Sequence, residues 1–436
     1  MKPYEKYKES RIPWVDELPV AWEEFRLRYL GALDAGGVDK KINEGESLYK
    51  SVHYMDVYRG SLRNIFDSPN YLIVSATPQK RDKCILRKGD VLFTTSSETP
   101  NDIGHSCVIG EDLNDTLFGY HLLRLRVTDK IDFQFRKYLF GANYLRTWFS
   151  YRAVGMTRYG ISNIDFADAR IMIPPIDEQK KISNYLDQKV SQIDDLIQNK
   201  QELIDLLKEQ RISVICSAVT KGIDSTAEMK DSGNEWLGYI PSHWRVVPAK
   251  ALFAQSKETR HETDVQLTAS QKYGIISQED YMERQNYKIV LADKGLENWK
   301  HVEPNDFIIS LRSFQGGLEI SYIPGCITWH YIVLKPKAGV EPEYFKWLFK
   351  SPRYIQALQR TANFIRDGQD LRFSNFVQVP LPLIPMDEQK EIAEYLNKET
   401  ARIDSIIADI TEQIEKLKEY RQSVISEVVT GKVAVE

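Results

Sequence analysis

The chain has 436 residues, 42% of them hydrophobic and 28% charged, a composition typical of a globular protein with room for two to four domains. No stretch reaches the roughly 18 uncharged apolar residues of a membrane helix, and the start MKPYEKYKES lacks the apolar core of a signal peptide, so we expect a cytoplasmic protein without membrane contact. The four cysteines show no CxxC or Cys/His spacing and the histidines number only seven, so the sequence predicts neither a disulfide framework nor a metal site.

The net charge of -4 hides an uneven distribution along the chain. Residues 177–220 and 387–436 carry 13 basic and 20 acidic side chains, whereas the rest of the chain carries 45 basic and 42 acidic ones. The acidity therefore belongs to two segments, and the remainder is weakly basic.

A short segment rich in tryptophan and proline opens the chain and returns 222 residues later. Its matching residues are Lys8, Ser10, Trp14, Pro19 and Trp22 in the first copy and Lys230, Ser232, Trp236, Pro241 and Trp244 in the second. Each copy is followed by a domain of about 150 residues, a common domain size. We call these two copies the Trp/Pro segments.

Both domains mix short predicted strands and helices, which indicates α+β folds. Residues 91–93 (VLF) and 307–309 (FII) predict buried strands, each followed by a polar loop. Residues 132–149 and 343–360 predict aromatic-rich helices, followed by the segments YRAVGMTRYGIS and TANFIRDGQDLRFS. Traces of repetition join the two domains, such as YLF at 138–140 and WLF at 347–349.

A long helix after each domain is the clearest repeat. Residues 177–220 align with 387–430 at a constant offset of 210, with 21 identities in 44 positions, where average residue usage gives roughly 3 by chance. Apolar spacings of four and three predict a coiled-coil seam along each copy. The seam positions are Leu186, Val190, Ile193, Ile197, Lys200, Ile204, Leu207, Arg211, Val214 and Ala218, and Leu396, Thr400, Ile403, Ile407, Ile410, Ile414, Leu417, Arg421, Val424 and Val428.

The alternative to a coiled coil is two separate helices, each packed on its own domain. A helix of about 40 residues is roughly 60 Å long, however, and outruns a domain that is roughly 40 Å across. The second domain also connects the end of the first helix to the start of the second, and only antiparallel pairing brings those ends close. We therefore expect two α+β domains separated by a pair of antiparallel helices under a pseudo-twofold axis.

The sequence carries no familiar catalytic motif. It contains no GxxxxGK[ST] loop, GxSxG elbow or HExxH helix, and Thr430-Gly431-Lys432 reads as a helix terminus. Asp-Glu-Gln occurs at 177–179 and 387–389, and one reading takes it as catalytic carboxylates. Helix capping by Asp177 and Asp387, with the glutamates complementing the helix dipole, explains the motif better.

Basic and aromatic residues concentrate near the end of each domain. Residues 121–160 carry eight basic and two acidic side chains, and residues 350–372 carry five and two. Such patches suit phosphate contacts, and the polar residues of nearby loops suit base edges. A solvated surface is the ordinary alternative, but the same place in both halves carries a patch.

The duplicated pattern resembles the specificity subunit of type I restriction-modification enzymes over nearly the whole chain. The segments PIDEQ at 175–179 and PMDEQ at 385–389, each followed by Tyr-Leu, are similar to the family's repeated helix-start signature. The segments GMTRYG at 155–160 and GDVLF at 89–93 are similar to parts of its target recognition domains. The second domain departs from this pattern, with Asn305-Asp306 in place of Gly-Asp and no VGMTRYG form.

The resemblance implies a fold, a function and partners. It implies an α+β chain with two target recognition domains separated by long antiparallel coiled-coil helices, in the order 1–176 first domain, 177–220 first helix, 221–386 linker and second domain, 387–431 second helix and 432–436 tail. It further implies a non-catalytic subunit in which each domain recognises half of an asymmetric, bipartite double-stranded DNA sequence and the helices set the gap. Two methyltransferase subunits and the restriction and translocase subunits are its implied partners, and S-adenosylmethionine and ATP belong to them.

Two sets of residues are candidates for contacts. The DNA-binding candidates are Thr94, Ser96, Ser97, Asn101, Arg152, Thr157, Arg158 and Tyr159 in the first domain and Ser310, Arg312, Ser313, Gln315, Arg366, Gln369 and Arg372 in the second. The methyltransferase-binding candidates are the outward apolar helix positions Leu196, Leu203, Leu206 and Ile212. Two other functions stay open: a specificity subunit of another restriction-modification type, and a coiled-coil scaffold that binds only proteins.

Overall fold

The computed structural model describes residues 2–60, 62–128, 130–286, 288, 294–310, 313–361 and 371–435. The chain folds as two compact units, unit 1 from residues 1–199 and 413–436, and unit 2 from residues 200–412. Each unit thus contains one domain, the first part of one long helix and the last part of the other. No helix among the described residues is long and apolar enough to cross a membrane.

Unit 1 is built on two main sheets. Its strands are β1 (Tyr7–Glu9), β2 (Glu17–Pro19), β3 (Glu23–Arg26), β4 (Gly31–Ala35), β5 (Ser47–Val52), β6 (Asn64–Ile65), β7 (Leu72–Ala76), β8 (Ile85–Leu86), β9 (Asp90–Thr94), β10 (Ser96–Ser97), β11 (Ser106–Ile109), β12 (Leu113–Phe118), β13 (Leu122–Val127), β14 (Tyr159–Gly160) and β15 (Arg170–Ile173). Its helices are α1 (Tyr54–Arg59), α2 (Pro78–Cys84), α3 (Arg136–Phe140), α4 (Asn143–Arg152) and α5 (Asn163–Asp168), with 3-10 turns at Leu27–Tyr29 and Pro100–Asp102. The sheet orders are β4-β13-β9-β11-β6 and β7-β5-β12-β8.

Strand β9 lies at the centre of the larger sheet, and every residue in it is buried. Phe93 packs against the rings of Phe140, Phe149 and Phe166, with centroids 5.7–6.0 Å apart. The predicted strand at 91–93 is therefore confirmed, and it anchors the core of unit 1.

Unit 2 repeats part of this plan with fewer strands. Its strands are β16 (Met229–Asp231), β17 (Tyr239–Pro241), β18 (Arg245–Val247), β19 (Phe253–Gln255), β20 (Leu267–Ser270), β21 (Gly274–Ser277), β22 (Lys300–Val302), β23 (Phe307–Ile309), β24 (Glu319–Ile320), β25 (Gly325–Ile327), β26 (Ile332–Pro336) and β27 (Leu381–Leu383). After the first long helix, α6 (Ile176–Lys221), its helices are α7 (Ala249–Leu252), α8 (Gln278–Gln285), α9 (Ser313–Gly316), α10 (Pro342–Lys350), α11 (Pro352–Arg360) and α12 (Phe373–Phe376), with a 3-10 turn at Leu296–Asn298. The second long helix is α13 (Met386–Val429).

The central sheet of unit 2 has the order β19-β26-β23-β24. Its buried strand β23, predicted at 307–309, pairs with β26 as β9 pairs with β13 in unit 1. The two domains thus share a central strand pair although their sequences match only in traces.

The two aromatic-rich helices differ from the prediction because each is broken in two. Helix α3 ends at Phe140 with Gly141 as its cap, and α4 starts at Asn143. In unit 2, Pro352 starts α11, and the Ser351 hydroxyl accepts the Tyr354 N–H at 3.4 Å. A proline restricts the residue before it to extended geometry, so α10 must end there.

Both long helices form as predicted, with small differences at their ends: α6 is one residue longer at each end, whereas α13 begins one residue earlier and ends two residues earlier. Helix α6 has 46 residues and α13 has 44, or about 69 and 66 Å at 1.5 Å per residue. All predicted seam positions are buried or half-buried.

The helices pair antiparallel in each unit. In unit 1, Arg421 Nε lies 2.8 Å from Asp194 Oδ1, and Leu186 and Val190 share a core with Val424 and Val428. In unit 2, Arg211 Nε lies 2.9 Å from Asp404 Oδ1. These ion pairs occupy equivalent places in the repeat, so the predicted antiparallel seam is confirmed.

The Asp-Glu-Gln motifs lie in the first turn of each long helix. The predicted capping by Asp177 and Asp387 is wrong. The helices begin one residue earlier, at Ile176 and Met386, because the carbonyl of the preceding proline accepts the glutamine N–H at 3.0 Å in both copies. The two aspartates lie in the first turn, where they complement the helix dipole.

The glutamate of each motif holds the Trp/Pro segment. Glu178 Oε1 accepts the indole N–H of Trp22 at 3.0 Å, and Glu388 Oε1 accepts that of Trp244 at 3.0 Å. The hydroxyl of Tyr4 also donates to Glu178. Within each unit, the Trp/Pro segment and the Asp-Glu-Gln motif therefore bind each other although they lie far apart in sequence.

Candidate nucleic-acid interface

In unit 1 the structure brings the two predicted contact loops together. Strand β10, in the loop after β9, pairs antiparallel with β14, so that Ser96 faces Gly160 and Ser97 faces Tyr159. The Ile161 N–H also donates to the Thr95 carbonyl at 3.1 Å. Eight residues proposed from two separate segments thus belong to one surface region.

Three of these residues support the loops from inside. The side chains of Thr94, Ser96 and Ser97 are buried. The Thr94 hydroxyl accepts the His105 N–H at 3.0 Å, and the Ser97 hydroxyl donates to the Thr99 carbonyl. Their polarity is therefore used within the protein, and their exposed neighbours are the remaining candidates for contact.

The exposed neighbours form a hairpin. Val154 and Gly160 exchange backbone hydrogen bonds of 3.0 and 2.9 Å, which closes a loop containing Met156, Thr157 and Arg158. All three of these side chains are exposed, Met156 to 95%. We call residues 154–160 the tip hairpin.

Two further candidates flank the tip hairpin. The guanidinium of Arg152 stacks 4.8 Å from the Trp148 ring and lies 3.9 Å from Asp165. Asn101 is exposed, and its side-chain oxygen accepts the Ser150 hydroxyl at 2.9 Å. Both are held by neighbours and still present polar atoms to solvent.

The expected basic patch at 121–160 is only partly a patch, because internal contacts use most of its cations. Arg126 is paired with buried Asp90 at 2.8 Å, and Lys137 with Asp187 at 2.7 Å. Arg124 and Arg136 donate to the Ile85 and Gly89 carbonyls, both at 2.8 Å, and Arg146 Nη2 donates to the Asn101 carbonyl at 3.1 Å. A count of charges along the sequence did not reveal these partners.

Sequence reasoning missed an aromatic–histidine turn in each domain. Tyr120-His121 precedes β13 and Trp329-His330 precedes β26, and both aromatic rings are about half exposed, at 50% and 55%. Since β13 and β26 pair with β9 and β23, each turn lies beside the polar loop that follows the central strand. Aligning the domains on that strand pair would have found this signal.

Electrostatics links this turn to the tip hairpin in unit 1. Burial lowers the pKa of His121, and the positive charges of Arg158 and Lys40 lower it further. His121 Nδ1 also lies 3.2 Å from the Ser96 hydroxyl. A neutral imidazole, a tyrosine and an arginine therefore share one surface, a combination that can both accept and donate hydrogen bonds to bases.

The candidates of unit 2 are placed less completely. Ser313 is buried at the start of α9, where its hydroxyl accepts the Ser310 N–H at 2.8 Å, while Gln315 and Arg372 are exposed. Arg312, Arg366 and Gln369 lie outside the described residues. The segment after β23 thus has a buried serine support and an exposed glutamine, which resembles the loop after β9.

Comparison with known proteins decides the family. The model of the type I restriction modification DNA specificity domain matches the chain twice, over residues 19–206 and 241–416. The chain belongs to the type I restriction-modification specificity family. Each match begins in a Trp/Pro segment and extends into a long helix, as the internal duplication requires.

Relatives within the family span the whole chain. The specificity subunit assigned to the MjaX type I restriction enzyme of Methanocaldococcus jannaschii is 23% identical, over 99% of this chain and 97% of that protein. The EcoKI specificity subunit of Escherichia coli K12 is 20% identical, over 96% of this chain and 91% of that protein. The chain is therefore similar to complete specificity subunits, not to one of their domains.

Two solved structures show the same fold. A chain from work on complex assembly and conformational transition of the type I R-M system superposes with a TM-score of 0.68 at 15% identity, covering 95% of this chain and 99% of that one. The HsdS subunit of Thermoanaerobacter tengcongensis gives a TM-score of 0.53 at 16% identity, covering 95% and 98%. The architecture is conserved at identities too low to align individual contact residues.

On the long helix α6, this member of the family presents the four predicted outward apolar side chains to solvent. Leu196, Leu203, Leu206 and Ile212 are 43%, 45%, 62% and 46% exposed. A coiled-coil seam does not need these positions, and large apolar side chains in solvent mark surfaces for protein contact.

Proposed function

We propose that the chain is the non-catalytic DNA specificity subunit of a type I restriction-modification complex in the cytoplasm. Unit 1 binds one half of an asymmetric, bipartite double-stranded DNA target, and unit 2 binds the other half. The proposal rests on one observation above all. Each domain carries a polar loop and an aromatic–histidine turn on its own central strand pair. The two pairs are equivalent, but the residues of the loop and the turn differ between the domains.

In this proposal the long helices set the gap between the half-sites and dock two methyltransferase subunits. Restriction and translocase subunits join through the methyltransferase subunits. S-adenosylmethionine and ATP bind to these partner subunits and not to this chain. The acidity of the helices supports this division, since a negatively charged surface repels DNA phosphates and leaves the helices to bind protein. The exposed leucines of α6 supply the apolar contact.

The Asp-Glu-Gln motifs support a non-catalytic role. Gln179 and Gln389 are buried to 1% exposure, and Glu178 and Glu388 are occupied by tryptophan N–H groups. The contacts of these side chains stabilise the fold, so no catalytic role needs to be assigned to them.

Mapping DNA methylation tests the proposal directly. The chain is co-expressed with the methyltransferase subunit from its genomic neighbourhood in a methylation-free host, and modified adenines are mapped by long-read sequencing. We expect an asymmetric motif of two short halves around a fixed gap. An intact complex that leaves no methylation would favour the protein scaffold, and a neighbour that fuses nuclease and methyltransferase would indicate another restriction-modification type.

Half-specific variants test the contact surfaces. Arg158→Ala and Tyr120→Ala in unit 1 should relax one half of the motif, and Trp329→Ala in unit 2 the other half, because each residue faces only its own half-site. Loss of a base contact costs about 1–3 kcal/mol, or roughly 5- to 150-fold in discrimination. Arg81→Ala, on α2 and paired with its neighbour Asp82 at 2.8 Å, is the matched arginine control. An unchanged motif and affinity in Arg158→Ala would remove that residue from the contact set.

A charge on α6 tests the protein contact. Leu206→Asp should weaken co-purification of the methyltransferase at least about 10-fold, because an interface would have to bury an unpaired carboxylate. Gln201→Asp adds the same charge at an exposed polar position on another face of the same helix and should have little effect. Equal recovery of the methyltransferase with both variants would contradict the proposal that this surface binds the methyltransferase.

A further inference from the structure

Two chain segments of unit 2 that are distant in sequence run side by side. Thr259 and Lys300 form an antiparallel bridge. The Arg260 N–H donates to the Trp299 carbonyl at 2.8 Å, and the His301 N–H donates to the Glu258 carbonyl at 3.1 Å. This pairing brings together side chains whose spacing in the sequence showed no metal-binding pattern.

Three of these side chains are metal ligands by type: Glu258, His261 and His301. One ligand atom from each lies within 4.8 Å of the others. His261 Nε2 and Glu258 Oε1 are 3.2 Å apart. Tetrahedral zinc with bonds of about 2.0–2.1 Å separates its ligands by roughly 3.3 Å, so this pair already has the spacing of two ligands on one ion.

A buried carboxylate orients the third ligand. His301 Nδ1 lies 2.8 Å from Asp264 Oδ2, and the two side chains are 7% and 5% exposed. The same oxygen also accepts the backbone N–H of His261 at 2.9 Å. Because the carboxylate accepts, Nδ1 of His301 carries the proton and Nε2 keeps its lone pair, the arrangement that second-shell carboxylates give to metal-binding histidines.

We propose that Glu258, His261 and His301 form a binding site for a divalent transition metal of the zinc type. Two imidazoles and one carboxylate, with a fourth position open to water, select zinc, cobalt or nickel over magnesium and calcium. The ion would clamp the segment after β19 to strand β22. The site is independent of DNA recognition, and no residue in it belongs to the proposed DNA or methyltransferase surfaces.

Metal binding requires one local movement. The rings of His261 and His301 are stacked with centroids 3.9 Å apart, so the lone pairs of the two rings cannot both point at one ion. The side chains of His261 and Glu258 are 51% and 43% exposed, so the pair can move out of the stack together, whereas His301 is fixed by Asp264. Lys335 lies 3.6 Å from Glu258 Oε2, which leaves Oε1 facing His261.

Titration of the full chain, purified without a histidine tag, tests the site. Zn²⁺ binding is followed by calorimetry, and Co²⁺ binding by the visible absorption of tetrahedral cobalt. We expect one equivalent of tight binding, and a higher unfolding temperature with Zn²⁺ but not with Mg²⁺. Absence of stoichiometric Zn²⁺ and Co²⁺ binding to the wild-type chain would overturn the proposal.

Exposed-side variants keep the test separate from folding. His261→Ala and Glu258→Gln should each weaken Zn²⁺ binding at least about 10-fold and abolish the thermal shift, because each removes one of three ligands. The matched control is His243→Ala, since His243 is similarly exposed and lies 2.8 Å from Glu388, and its loss should leave Zn²⁺ affinity unchanged. Wild-type affinity in His261→Ala would also overturn the proposal.

Discussion

Replacing Gln389 by glutamate exchanges the side-chain NH₂ group for an oxygen and keeps the size of the side chain. We expect this change to destabilise unit 2 strongly. The buried amide nitrogen donates to the Gly339 carbonyl at 2.9 Å and to the Ile384 carbonyl at 2.8 Å, and the amide oxygen accepts the Glu341 N–H at 2.8 Å. A carboxylate keeps the acceptor and loses both donors. The buried Ile384 carbonyl and the carbonyl of exposed Gly339 then face an oxygen instead of an N–H group.

The structure sets the size of this effect. The buried Ile384 carbonyl left without its donor costs about 1–3 kcal/mol, and the lost hydrogen bond to exposed Gly339 costs about 0.5–1.5 kcal/mol, which gives about 1.5–4.5 kcal/mol before any cost of burying charge. Domains are stable by about 5–15 kcal/mol, so the variant should lose a large share of the stability of unit 2. Gln179→Glu makes the equivalent change in unit 1, where the amide donates to the Pro174 carbonyl at 2.8 Å.

Urea unfolding followed by tryptophan fluorescence measures the loss. Asp387→Asn is the control, since Asp387 is exposed in the same helical turn and contributes only about 0.3–1 kcal/mol through the helix dipole. A Gln389→Glu chain with wild-type unfolding and no methylation activity would refute the reasoning, because the motif would then serve function directly and not the fold.

Two further predictions concern helix ends and pH. Gly431→Ala should cost about 2–5 kcal/mol, from a left-handed φ of 71° and a new Cβ only 2.4 Å from a proline ring. Gly222→Ala, with a φ of 75° and a nearest contact of 3.2 Å to the Glu388 carboxylate, should cost about 1–2 kcal/mol; equal urea midpoints would contradict this. Unit 1 should also lose stability as the pH falls below about 6.5, because the unfolded chain protonates its histidines before the folded chain does, and an unfolding midpoint as high at pH 5.5 as at pH 7.5 would contradict this. Burial lowers the pKa of the three histidines concerned: His53, His105 and His121.

The architecture was predictable because duplication gives each inference a second copy. The seam of four and three spacings placed Arg211 and Arg421 at equivalent positions, and both form ion pairs with equivalent aspartates on the opposite helix. The same logic holds for the domain-to-helix contacts. Tyr138 donates to Asp187 at 2.5 Å, and Trp347 donates to Asn397 at 3.1 Å, where only a trace of repeat was visible.

The candidate interface was less predictable because polarity alone does not report burial. Thr94 and Ser97 look like loop residues in sequence, but Thr94 ends the central strand, Ser97 lies three residues beyond it, and both are buried. Arg126 looks like a phosphate ligand, but it neutralises a buried aspartate. These roles depend on neighbours that lie far away in the sequence.

Unit 1 is discontinuous in the chain, and this has a consequence for the order of events on the ribosome. Residues 200–412 contain all of unit 2, whereas unit 1 needs residues 413–436 to complete its core. Val424 and Val428 pack on Leu186 and Val190 within that core. The half that is translated first is therefore expected to mature last, and its apolar helix face stays open to chaperones until residues 413–436 emerge.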